Sequence, residues 1–250
     1  MLQSPPTACS APVAPLCARY VAMLEDAGIP TPLQQELTVT ADFVEELDLS
    51  GITLVAQDWG GPIGLSVAER SPQRFDSLVI ANTWAWPVNG DAHFELFSRL
   101  MGGLVGRELI RRFNLFVNAV IPAGHRCRKL SAAEMAHYRA ALSTRERRHA
   151  SAVLPQAIIK RQAFLDDVTK GLVTVDALPA LILWADADIA FRDRDRRRWQ
   201  ALLPNHTDVT LHGVGHYLQS DAPQEFADAI RRWWPTRYAP ASRQGMGARP

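Results

Sequence analysis

The stretch that most constrains this chain is VAQDWGGPIG, residues 55–64, where an apolar run stops at a carboxylate and passes into a Gly-Gly step. Residues 51–57, GITLVAQ, are short and β-branched, as in a strand. Residues 61–72, GPIGLSVAERSP, return to helical spacing and close at Pro72. A strand that becomes a helix within so few residues leaves Asp58 at the junction. The side chains two before and two after it, Ala56 and Gly60, are small, and Gly61 lets the helix pack close. This is the pattern of a nucleophile elbow, small-x-nucleophile-x-small. The alternative is an Asp that caps helix 61–70 through its side chain. Spacing alone leaves both open.

The rest of the chain sets the frame. DSLVIAN (76–82), ALPALILWAD (177–186) and DVTLHG (208–213) read as further strands. LTVTADFVEEL (37–47) reads as a helix, capped by Thr38 or Thr40, with Phe43, Val44 and Leu47 on one face. PQEFADAIRRWW (223–234) is a closing amphipathic helix, and 13–27 could form another. Residues 1–15 and the tail after Pro235 read as disordered or mobile. From Trp84 to about Asp167 only helical blocks occur. The order predicts an α/β chain with a mostly parallel sheet and an inserted helical cap. In 250 residues, 47% of them hydrophobic, one domain with an insertion is expected. Sites in such sheets lie at the carboxyl ends of the strands, where Asp58 falls.

Charge nearly balances at +1, which excludes a strong field toward nucleic acid or an anionic membrane. The basic run RDRDRRRW (192–199) has alternating charges and reads as a solvated helix face. Cys9, Cys17 and Cys127 have neither metal-ligand spacing nor an even count, and a reducing cytoplasm is expected. No apolar run reaches membrane-spanning length, and the N-terminus lacks the features of a secretory signal.

A nucleophile of this type needs a His and an acid, following it in the order nucleophile, acid, His. LILWADAD (181–188) ends a strand with Asp186 and Asp188, and VTLHGVGHY (209–217) ends the next with His212 and His216. Asp188, two residues into the loop, and His216, in the flexible G-x-G-H-Y loop, are favoured; His212 reads as structural. With these residues in view, VAQDWGGPIGL, SLVIANTWAWPV, ALILWADADIAFRD and LHGVGHYLQSDAP resemble the haloalkane dehalogenases of the α/β-hydrolase superfamily, over about Leu37 to Trp234. The resemblance implies Asp58 as nucleophile, Asp188 as acid, His216 as general base, and Trp59 as a halide-stabilising indole. Some members place a Glu after the second strand as the acid; here that slot falls near Thr83, which cannot serve.

The chemistry fits these residue types. Displacement at a saturated carbon by a carboxylate gives an ester that water can cleave, where a Ser would give an inert ether. No metal or organic cofactor is required, and the expected partner is a small halogenated alkane. The cap residues Phe94, Phe97, Phe113, Phe116 and Phe164 are candidates to line a dry pocket.

The expected organisation is an atypical segment 1–36, a hydrolase core of 37–83 and 168–235, a cap of 84–167 and a mobile tail of 236–250. Residues 1–36 match none of the strands, nor the H-G-x-x loop, that precede this region in the family. The expectation is therefore a truncated sheet with 52–57 on its edge and Ile52 and Leu54 facing solvent, poorly soluble and of impaired activity. An epoxide hydrolase is the rival enzyme; it needs two lid tyrosines, and the lid here has only Tyr138.

Overall fold

The computed structural model describes residues 32–237. The helix expected at 13–27, the N-terminal lead and the tail beyond 237 lie outside the described residues.

Four strands, β1 (Ile52–Asp58), β2 (Phe75–Thr83), β3 (Ala180–Ala185) and β4 (His206–Leu211), form one parallel sheet in the order β1-β2-β3-β4. The apolar runs of β2 and β3 require cover on both faces. Leu78, Ile80, Ile182 and Trp184 pack toward α2 (Gly60–Arg70), α7 (Gln162–Gly171) and α8 (Asp193–Leu202). Val79, Ala81, Leu181 and Leu183 pack instead with Ala229 and Trp233 of α9 (Pro223–Trp233). Right-handed crossovers in a steadily advancing strand order fall on one face, so the element after the last strand is left to cover the other.

The first described helix, α1, runs Pro32–Glu46. It starts earlier than expected, so Thr38 and Thr40 lie inside it rather than at its N-terminus. Val39 and Val44 are buried, while Phe43 and Leu47 are half-buried. On its outer side β1 has no paired strand among the described residues. The expectation that Ile52 and Leu54 face solvent is corrected: both pack against the main core. The period-two alternation of a strand puts them on the α2 side and turns Val55, which is 50% exposed, to the opposite side.

Between β2 and β3 the described chain is helical: α3 (Ala92–Gly102), α4 (Leu104–Phe113), α5 (Ala132–Ala141) and α6 (His149–Lys160) precede α7. The side chain of Asp91 caps α3, and Ser131 and Glu134 form a reciprocal capping box on α5. The charged run of α8 is tied to the protein's own acids more than a solvated face would be. Arg196 binds Asp208, Arg192 and Arg194 meet Asp91, and the Arg198 guanidinium lies 4.4 Å over Trp86. Trp199 anchors the helix inward, its Nε1 donating to Thr83 O at 2.8 Å. No described helix is long and apolar enough to cross a membrane.

Candidate active site

Asp58 is the last residue of β1 and holds a φ of +49°, a left-handed conformation uncommon outside glycine. Opposite it the β1–β2 register slips: Gln57 faces Ala81, and Asp58 faces Thr83. The residue skipped on β2 is Asn82, with φ +36°. A bulge of this kind re-aims side chains at a strand end. Thr83 Oγ1 donates to the Asp58 carbonyl at 2.5 Å and ties the two ends together. The N-cap of α2 is Trp59, with no side-chain cap, so Asp58 does not serve as a helix cap. The tight position is Gly61: a Cβ there would lie 1.9 Å from Thr83 Oγ1. A Cβ at Gly60 would meet no described atom within 4 Å, so the expected demand for a small residue falls one position later.

Three sheet ends converge on the imidazole of His216. Its Nδ1 lies 3.0 Å from Asp188 Oδ2, and its Nε2 lies 3.7 Å from Asp58 Oδ2 and 3.1 Å from the side-chain nitrogen of Gln57. Asp188 is buried and further held by the Ala190 N–H at 2.6 Å and the Asn82 amide at 2.8 Å. Asn82 also exchanges two hydrogen bonds with the backbone of Ala185, which pins the end of β3 to the bulge. Burial opposes charge on the His216 ring, but the attraction of Asp188 and Asp58 outweighs it and holds the pKa up to about 10. Asp186 and His212 form a separate exposed pair at 2.7 Å, turned away from this cluster.

The His216 loop is stapled to the base of the cap. Gly124 O accepts the His216 N–H at 2.8 Å. The buried Asp221 carboxylate accepts backbone N–H groups from Gly215, Arg126, Cys127 and Arg128, which hold its carboxyl below the usual carboxylate range against the cost of burial.

Asp58 and His216 open into a cavity of about 460 Å³. Its wall includes Trp59, Trp84, Phe94, Phe97, Phe116 and Phe191. Phe113, 66% exposed, and Phe164, packed on the core, do not line it. Trp59 and Trp84 meet edge to face, centroids 4.8 Å apart. The buried Nε1 of Trp84 has no hydrogen-bond partner among the described residues. Tyr217 also lines the cavity, its hydroxyl pKa raised by burial and by the nearby Asp58 charge; Tyr138 does not line it and packs with Val117 and Met135 in a cluster that Tyr217 and Phe116 also touch. Among the described residues no group of His, Cys, Asp or Glu is placed to hold a metal.

Sequence reasoning singled out Asp58, Trp59, Asp188 and His216, and the fold brings all four to this one place. It passed over Gln57, Asn82, Trp84 and Asp221. For Asn82 a signal existed: a lone amide within an otherwise apolar strand end is a buried polar group in need of partners.

The family model of the alpha/beta hydrolase fold matches residues 35–223. Haloalkane dehalogenase 2 of Mycobacterium tuberculosis is 35% identical over 206 residues, covering 82% of this chain and 71% of its own. A cis-3-alkyl-4-alkyloxetan-2-one decarboxylase of Shewanella oneidensis is 26% identical, over 84% and 68% of the two chains. Among solved structures, the haloalkane dehalogenase DbeA of Bradyrhizobium elkani superposes with a TM-score of 0.75 at 25% identity, covering 85% of this chain and 76% of that one. With its elbow, its converging carboxylates and imidazole and this likeness, the chain belongs to the haloalkane dehalogenase family of the α/β-hydrolase fold.

Proposed function

We propose that the protein hydrolyses haloalkanes to an alcohol and a halide ion, with Asp58 as nucleophile. The observation that carries this reading is a carboxylate held at a left-handed elbow, facing an aromatic cavity with an imidazole 3.7 Å away. In the first step an Asp58 oxygen attacks the carbon that bears the halogen, in line with the C–X bond. A C–O bond forms, the C–X bond breaks with its electron pair, and halide and an Asp58 alkyl ester result. In the second step His216 takes a proton from water, whose oxygen bonds to the ester carbonyl carbon. The tetrahedral species collapses, the alcohol leaves with that proton, and the Asp58 carboxyl group ionises again. Asp188 orients the imidazole through Nδ1 and balances its charge.

Trp59 fits the part of halide donor, because an indole N–H is a donor without a competing acceptor. Trp84, whose N–H is unpartnered and whose ring meets that of Trp59, is the candidate for a second. The aromatic wall keeps bulk water from the displaced ion, which strengthens both contacts.

An epoxide hydrolase is less well supported, because among the described residues the cavity wall contains one tyrosine, Tyr217, beside the His rather than in the cap. The test is release of bromide from 1-bromobutane by the purified full chain. Stoichiometric bromide and butan-1-ol support the reading. Carbon dioxide from a 3,4-dialkyl β-lactone, or diol from an epoxide, without bromide release would move the chain to another reaction.

A further inference from the structure

We propose that Gln57 is a positioning residue for His216: its side-chain amide donates to Nε2 and favours the neutral imidazole, with the proton on Nδ1, over the imidazolium once the Asp58 charge is lost. The inference rests on the hydrolytic reading above.

The argument starts from one nitrogen with two neighbours. Gln57 Nε2 lies 3.1 Å from His216 Nε2 and 3.1 Å from the His216 carbonyl oxygen. A carbonyl oxygen only accepts. Turning the amide round would set two oxygens against each other, so the group at this position is the NH₂. Its second hydrogen points to the ring, and a ring nitrogen that accepts carries a lone pair and no proton. Nδ1, 3.0 Å from Asp188, then carries the only ring proton.

Two influences therefore compete at this ring. Among the described residues, the titratable groups around it are Asp58 from the end of β1, Asp188 from the loop after β3 and Tyr217 from its own loop, with His93 of the cap in the cavity wall. The two carboxylates favour the imidazolium, which would be useless as a base. Gln57 favours the neutral ring. The balance changes during turnover, because alkylation converts Asp58 from a carboxylate into a neutral ester and removes one of the two attractions. Gln57 then prevails until the hydrolytic water replaces it at Nε2. When the hydrolytic water takes its place at Nε2, the amide gives up one hydrogen bond and keeps the other, to the carbonyl. Asp58 itself, 3.7 Å away, is beyond direct hydrogen-bond reach of the ring.

The test uses Asp58→Asn, which has the charge of the ester, with and without Gln57→Leu. The His216 ring nitrogens are followed by nitrogen-15 NMR as pH is varied. The expected result is a protonation midpoint higher by about half to one pH unit when Gln57 is replaced, the scale of one neutral hydrogen bond. An unchanged or lowered midpoint overturns the proposal. If the Leu variant does not fold, Asp58→Asn alone decides: an unprotonated Nε2 at pH 7 supports the proposal, and a protonated one overturns it. In an otherwise native chain, Gln57→Leu should shift the acid limb of ester hydrolysis to higher pH. Equal loss of both steps, with no pH shift, also overturns the proposal. Absence of bromide release from the native chain would count against dehalogenation alone, since the NMR arm needs no substrate.

Discussion

Asp58 and His216 face each other across 3.7 Å, a gap too long for a hydrogen bond. A Ser nucleophile could not work across it, because the imidazole must remove the hydroxyl proton. A carboxylate has no proton to lose, so under the proposed mechanism the base is needed only for the second step.

The first prediction follows from this division of labour. Asp58→Ala is expected to abolish halide release. His216→Phe should still release one equivalent of halide and then stop as the alkyl ester. Intact-protein mass spectrometry of that variant with 1-bromobutane should show one butyl group, and peptide mapping should place it on Asp58. A folded His216→Phe protein that turns over repeatedly would remove His216 from the scheme.

The two neighbouring aspartates should separate sharply. Asp188 is buried against the imidazole, while Asp186 pairs with exposed His212. Asp188→Asn loses the charge that supports the imidazolium and should slow ester hydrolysis by roughly 10³–10⁴. Asp186→Asn should change turnover by less than about threefold, since exposed pairs contribute little. Single-turnover kinetics of both variants is the measurement, and comparable losses would contradict the assignment.

How far this site was legible in the sequence depends on how local each feature is. The strands and the Asp58 turn were readable because period, turn and small residues lie within about ten positions. Asp188 and His216 followed from chain order at two further strand ends. Gln57 was not readable, and for Asn82 only the need for a partner was, because their partners lie 159 and 106 residues away and a bulge decides where Asn82 points. Phe113 was misplaced for a related reason. Helical spacing shows that α4 has an apolar side, but not which way the helix is rotated against its neighbours. The start of α1 was misread because Thr38 and Thr40 suit a cap as well as a helix interior.

The packing of α2 on β2 yields a paired prediction. Gly61→Ala would place a methyl group 1.9 Å from Thr83 Oγ1, the hydroxyl that also holds the Asp58 carbonyl. The variant is expected to lose roughly 1–3 kcal/mol or more, as overpacked sites do, and to lose activity through a displaced Asp58. Gly60→Ala should be near neutral, because no described atom lies within 4 Å of the new methyl. Denaturant melts and turnover of the two variants distinguish them. A well-folded, active Gly61→Ala would mean that Thr83 can move freely and that the bulge does not fix Asp58.

The last prediction concerns Glu69, on the buried side of α2 against Gly171 at the end of α7. Its Oε1 has no hydrogen-bond partner among the described residues. Burial raises its pKa from 4.5 to about 8, with Arg70 only partly opposing. A carboxyl group with a raised folded-state pKa binds its proton more tightly when folded. Its contribution to stability is therefore fully present below pH 4.5 and is lost as pH climbs from 4.5 to about 8. Because the side chain is only about half buried, solvent screening reduces the effect to about 1–2 kcal/mol. Glu69→Gln, which mimics the protonated form, should match the parent protein at pH 5 and exceed it in stability at pH 9. Thermal melts of both proteins across this range test the claim, and a difference between them that stays constant with pH would show that Glu69 does not titrate in it.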